Sequence, residues 1–124
     1  MEIRVMKFLI VPLLLVFSHA VIAQKEVPLA DLKAHIGDTV ITCGTVNSAY
    51  YAIKAKNSPT FLNIGGKYPN QLFTVVIWEN ARTKFNFKPE ETLLGKQVCI
   101  TGKLELFESK LQITVYYPKQ ISIL

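Results

Sequence analysis

Two segments of this chain repeat one pattern. Gly37-Asp-Thr-Val40-Ile-Thr-Cys43-Gly44-Thr-Val46 and Gly95-Lys-Gln-Val98-Cys99-Ile-Thr-Gly102-Lys-Leu104 both read G-x-x-V-x-x-x-G-x-[V/L], and each contains one of the only two cysteines. The β-branched and aliphatic positions predict a strand in each segment. An interior glycine in a strand marks a bend or a close approach of another backbone. The chain is therefore constrained to a fold that uses two similar, bent strands far apart in sequence.

Side chains alternate between the two faces of a strand. Cys43 lies three residues after Val40, and Cys99 one residue after Val98. Both are an odd number of residues from the valine of their own strand, so both belong to the face opposite the valines. If the two strands are neighbours, a Cys43–Cys99 disulfide is the expected outcome. Two free thiols and a redox-active pair are the alternatives, and the absence of a C-x-x-C argues against the last. A bridge would close a loop of 57 residues, counting both ends, and the chain-entropy account assigns this about 4 kcal/mol.

The compartment suits a disulfide. Arg4 and Lys7 precede an apolar run, Phe8 to Phe17, followed by Ser18-His19-Ala20-Val21-Ile22-Ala23. A basic start, a short apolar stretch and small residues at the end read as a secretory signal peptide over residues 1–23. The run is well short of the roughly 20 apolar residues of a membrane-spanning helix, so stable membrane insertion is not expected. The remainder, 24–124, reads as one domain of an exported protein, periplasmic or extracellular, where disulfides persist. Residues 1–23 hold Arg4, Lys7 and Glu2, so the domain keeps 12 Lys+Arg against 8 Asp+Glu, a net charge of +4. That balance permits a polyanionic partner without requiring one.

Along the domain, Val27 to Gly37 reads as a short helix with Pro28 in its first turn, Leu29, Leu32 and Ile36 on its apolar side and Gly37 at its end. Strands are expected over Thr39–Ser48, Pro59–Gly65, Leu72–Trp78, Gln97–Phe107 and Leu111–Tyr117. Ala49–Ser58 is a polar, basic excursion, Lys67–Gln71 a turn, and Glu108–Lys110 a tight turn. Glu79–Leu94 has helical and turn character. Five short strands with glycine bends suggest a small closed barrel, since closure removes exposed edges; an α+β sandwich is the alternative.

From Gly37 to Ile121 the chain resembles the OB-fold nucleic-acid-binding family, specifically its small exported bacterial members. The residues that carry the resemblance include Val40-x-x-Cys43-Gly44-x-Val46, Pro59-Thr60-Phe61-Leu62-Asn63-Ile64-Gly65, Tyr68-Pro69-Asn70-Gln71 and Phe73-Thr74-Val75-Val76-Ile77-Trp78. Gly95-Lys96-x-Val98-Cys99-x-Thr101-Gly102-Lys103 and Gln112-Ile113-x-Val115 complete it. The resemblance implies an all-β, five-stranded Greek-key barrel with a short helix between strands three and four. It also implies that the first and fourth strands pair antiparallel, which sets the two repeats side by side.

The sequence offers little for catalysis. His35 is the domain's one histidine, and no Cys/His cluster or D-x-D is present, so neither an enzyme, a metal site nor a cofactor is expected. Glu90 and Glu91 follow Pro89 at a helix start, where carboxylates favour the helix dipole. Ligand binding fits better. OB domains bind single strands with aromatic platforms for the bases and basic groups for the phosphates. The resemblance therefore suggests Tyr51, Lys54, Lys56, Phe61, Asn63, Lys67, Phe73 and Lys110 as contacts, on the second and third strands and the loops beside them. The expected function is a non-catalytic module that binds single-stranded nucleic acid with little sequence preference. The alternative is a cell-envelope module with a protein or oligosaccharide ligand.

Overall fold

The computed structural model describes Pro12 and residues 25–124. The signal peptide expected over residues 1–23 falls, Pro12 apart, outside the described residues. Seven strands follow in order: β1 (Lys25–Glu26), β2 (Thr39–Tyr51), β3 (Thr60–Ile64), β4 (Phe73–Ile77), β5 (Gln97–Phe107), β6 (Lys110–Thr114) and β7 (Ile121–Ile123). A 3-10 helix, Leu29–His35, precedes β2. Two single-turn helices, α1 (Glu79–Arg82) and α2 (Pro89–Thr92), lie between β4 and β5.

Strands β2, β3, β4, β6 and β5 neighbour one another in that order, and β5 returns to pair with β2. The sheet thus closes into a five-stranded barrel, antiparallel except for the parallel β4–β6 pair. This is the OB fold, with the helical segment where the sequence places it. Two short strands were not expected. β1 pairs parallel with the start of β2, and β7 antiparallel with β5.

The two repeats form the seam that closes the barrel. Val40 stands opposite Gly102, Gly44 opposite Val98, and Cys43 opposite Cys99. Each valine therefore faces the glycine of the other repeat. The glycines are needed because the barrel wall approaches closely. A Cβ on Gly44 would lie 2.6 Å from Ile64 Cγ2 and 2.9 Å from Leu29 Cδ1; one on Gly102 would lie 2.5 Å from Ile113 Cγ2. On the opposite face the two cysteines are bonded to each other.

β2 is long because it serves two neighbours. Thr39–Thr45 pairs with β5 and Val46–Tyr51 with β3, with a bulge between Val46 and Ser48. The bulge bends the strand from one side of the barrel to the other. Asn47, the extra residue, accepts a hydrogen bond from the Gly66 amide at 2.7 Å. The core combines Val40, Val46, Leu62, Ile64, Phe73, Val75, Ile77, Val98, Ile100, Leu104 and Ile113 from the strands with Leu32 and Leu93 from the helical segments.

Between β4 and β5 the chain is pinned by polar contacts as well as by Ala81 and Leu93. Arg82 forms an ion pair with Glu90, tying α1 to α2. Its guanidinium also sits 3.7 Å above the Tyr51 ring, and the Tyr51 hydroxyl donates to Glu79 at 2.7 Å. Burial disfavours the Arg82 cation, but the Glu90 carboxylate outweighs it and its pKa is raised. Bonding to Glu79, reinforced by partial desolvation, raises the Tyr51 phenol as well.

Candidate functional site

Strand parity after the β2 bulge decides which side chains meet outside the barrel. Ser48 stands opposite Asn63 and Tyr50 opposite Phe61; Phe61 pairs with Val76, and Asn63 with Thr74. The same outward row continues to Gln112 on β6, opposite Thr74. These residues form the floor of a cleft of about 590 Å³, with Tyr68, Gln71, Phe107 and Lys110 on its rim. Its aromatic surface is open to solvent: Tyr50 is 65% exposed, Tyr68 69% and Phe107 59%. Large aromatic groups at this exposure are not core residues, and grouped on one concave face they make it the candidate binding surface.

Two local structures place the rim. Phe107 and Lys110 pair across the β5–β6 hairpin, whose two turn residues, Glu108 and Ser109, have φ of +48° and +64°. Two consecutive positive φ values give the tight turn that matches strand twist. The loop from Gly65 to Leu72 carries Tyr68 to the other side of the cleft, and Lys110 Nζ lies 5.4 Å from its ring centroid. The attraction of the ammonium for the ring face holds the two rims together.

Beneath the rings runs a chain of uncharged polar groups. Asn63 Nδ2 donates to Ser48 Oγ at 3.0 Å, and Thr74 Oγ1 donates to Asn63 Oδ1 at 3.1 Å. Gln71 Nε2 donates to Thr74 Oγ1 at 3.0 Å, and the Tyr68 amide to Ser48 Oγ at 3.2 Å. The Ser48 hydroxyl thus accepts twice and keeps its own proton to donate. Asn63 is 5% exposed, so the network fixes the floor rigidly. The cleft presents flat apolar rings for stacking, amide and hydroxyl groups for hydrogen bonding, and the Lys110 cation balanced by Glu108.

Of the eight residues suggested by the sequence, Phe61, Asn63 and Lys110 are brought together in this cleft. Phe73 is not a contact: it is 1% exposed, and its pairing with Ile64 turns it into the core. Tyr51 lies on the inward parity of β2, opposite the buried Thr60, and is engaged by Glu79 and Arg82. Lys54, Lys56 and Lys67 are exposed on loops and do not line the cleft. Tyr50, Tyr68 and Phe107 complete it instead. The signal for Tyr50 was its alternation with Tyr51, readable only once β2 is known to continue through both.

No protein-family model matches the sequence, and neither does any curated protein. Solved structures are similar in fold. An aspartyl-tRNA synthetase from Entamoeba histolytica superposes with a TM-score of 0.56 at 17% identity, over 81% of this chain and 21% of that one. A chain assigned as an aspartyl-tRNA synthetase from Leishmania major Friedlin gives 0.50 at 12% identity, over 87% of this chain and 22% of that one. This chain therefore spans about a fifth of the length of either, and at these identities the likeness is one of fold alone.

Proposed function

We propose that this protein is an exported, non-catalytic module that binds single-stranded nucleic acid on the outer face of β2, β3, β4 and β6, with little sequence preference. The observation that carries this reading is the cleft in which Tyr50, Phe61, Tyr68 and Phe107 surround a floor of uncharged polar groups beside Lys110. Bases stack on such rings whatever their identity, each contributing about 1–3 kcal/mol by alanine substitution. The Ser48 hydroxyl and the side-chain amides meet base edges without selecting one. The similarity in fold to chains named as tRNA synthetases is consistent with this reading and adds support at the level of architecture.

The test is a fluorescence-anisotropy titration of labelled oligothymidylate at two salt concentrations. Binding should weaken as salt rises, and Tyr50→Ala or Phe107→Ala should weaken it by at least about fivefold. Absence of binding at low salt refutes the reading. One observation favours a second ligand class: Lys110 and Glu108 leave the cleft without net charge, which suits an uncharged oligosaccharide stacking on the same rings. Binding of such a ligand, insensitive to salt and lost in the same two variants, would replace the nucleic-acid reading.

A further inference from the structure

A second groove, of about 610 Å³, adjoins the aromatic cleft on the barrel surface. The two share strands. On β6, Leu111 and Ile113 are buried, as is Val115 just after it, so Lys110, Gln112 and Thr114 project outward in a row. Lys110 and Gln112 line the first cleft and Thr114 the second. Alternate residues of a strand are about 6.7 Å apart, so the step from Gln112 to Thr114 along β6 passes from the lining of the first depression to that of the second. β5 repeats the arrangement, with Phe107 in the first cleft and Glu105 and Lys103 in the second.

The second groove differs in charge. Lys103 and Lys119 line it against the single carboxylate of Glu105. Lys84 adds a third cation at its border, where its Nζ donates to the Tyr116 carbonyl at 3.2 Å and lies 4.2 Å from the Tyr117 ring. The wall is also firmly built. Gln120 donates from Nε2 to the Thr101 carbonyl at 2.9 Å, and its Oε1 accepts from the amides of Tyr116 and Tyr117 at 2.7 and 3.0 Å. One side chain thereby fixes the turn at Pro118–Gln120 onto β5 and holds Lys119 beside the groove.

We infer that this groove is a phosphate subsite, in which Lys103 and Lys119 receive the backbone of a nucleic-acid strand whose bases stack in the aromatic cleft. The inference rests on the nucleic-acid reading above. It divides the work: the first cleft, without net charge, holds bases, and the second, cationic, neutralises the phosphates that follow. One strand then runs along β6 and β5 across both. An OB barrel covers about 4–16 nucleotides, and a strand confined to the first cleft would meet Lys110 alone among the lining cations.

The experiment compares labelled oligothymidylates of about four and about sixteen nucleotides on the full protein and on the Lys103→Gln, Lys119→Gln double variant. Each phosphate contact on a single strand contributes about 0.7 to the slope of log affinity against log salt. The double variant should therefore lower the slope for the longer strand by about 1.4, so that a fourfold rise in salt costs it about sevenfold less affinity than the unmodified protein. Binding of the shorter strand should be unchanged, and Lys103→Arg with Lys119→Arg should restore the original slope. An unchanged slope for the longer strand, or equal losses for both lengths, overturns this inference while leaving the aromatic cleft intact. Failure of the unmodified protein to bind either strand overturns both.

Discussion

Removing the Cys43–Cys99 crosslink should cost this domain a large fraction of its stability while leaving its aromatic face unchanged. The two cysteines are 56 residues apart in sequence and directly opposed on β2 and β5. Their bond closes a loop of 57 residues, and the entropy that it removes from the unfolded chain corresponds to about 4 kcal/mol near room temperature. A domain of this size has a total stability of about 5–15 kcal/mol. With an unfolding entropy of about 2.1 cal/mol/K per residue, the loss translates into a fall in Tm of about 20 °C. Circular dichroism melts of the oxidised protein and of the Cys43→Ser, Cys99→Ser variant measure it. Below its own melting point, the variant should retain the ligand affinity of the parent, because the bond lies on the β2–β5 seam and not on the β2–β3–β4–β6 face. A fall of less than about 5 °C would refute the entropic reasoning, and two titratable thiols in the denatured, unreduced protein would refute the bond itself.

Other consequences follow from the packing. Phe73→Ala should lower the stability measured by urea unfolding by about 3–5 kcal/mol, whereas Phe107→Ala, on the open rim, should change it by no more than about 0.5 kcal/mol. Gly44→Ala should cost about 1–3 kcal/mol in the same assay, because the new methyl would press on Ile64 and Leu29. The raised pKa of Tyr51 sets an alkaline limit. Its neutral form is favoured by the fold, so the stability it confers is present below about pH 10 and is lost as pH rises through the higher folded value. Tyr51→Phe should remove that part of the alkaline loss, read as the urea midpoint from neutral pH upward.

The scaffold was legible in the sequence because its pattern is local. The repeated G-x-x-V-x-x-x-G placed two strands, and cysteine parity gave the shared face on which the disulfide forms. The strand that the sequence predicts over Gln97–Phe107 coincides with β5. β1 and β7 were missed because two or three residues carry no periodicity; only the neighbours they pair with make them strands. The aromatic face is harder to read for a similar reason. Alternation along β4 separates Phe73, Val75 and Ile77 from Thr74 and Val76 but does not say which set faces inward. That choice is made by register against β3, where Ile64 and Leu62 take Phe73 and Val75 into the core. In β2 the bulge at Asn47 shifts parity, so Tyr50 reaches the cleft while Tyr51 turns to Arg82 and Glu79. Lysines in flanking loops suggested a basic face, yet Lys110 is the lysine that lines the aromatic cleft; position in the hairpin, not abundance, selects it.

Whether a single strand lies on the aromatic cleft is read by residue-by-residue NMR shift mapping of the labelled protein titrated with oligothymidylate. The largest shifts should fall on Tyr50, Phe61, Asn63, Tyr68, Thr74, Phe107 and Lys110, with Phe73 and the Tyr51–Arg82 cluster nearly still. Shifts concentrated on Lys54, Lys56 and their loop, or no shifts at low salt, would contradict it.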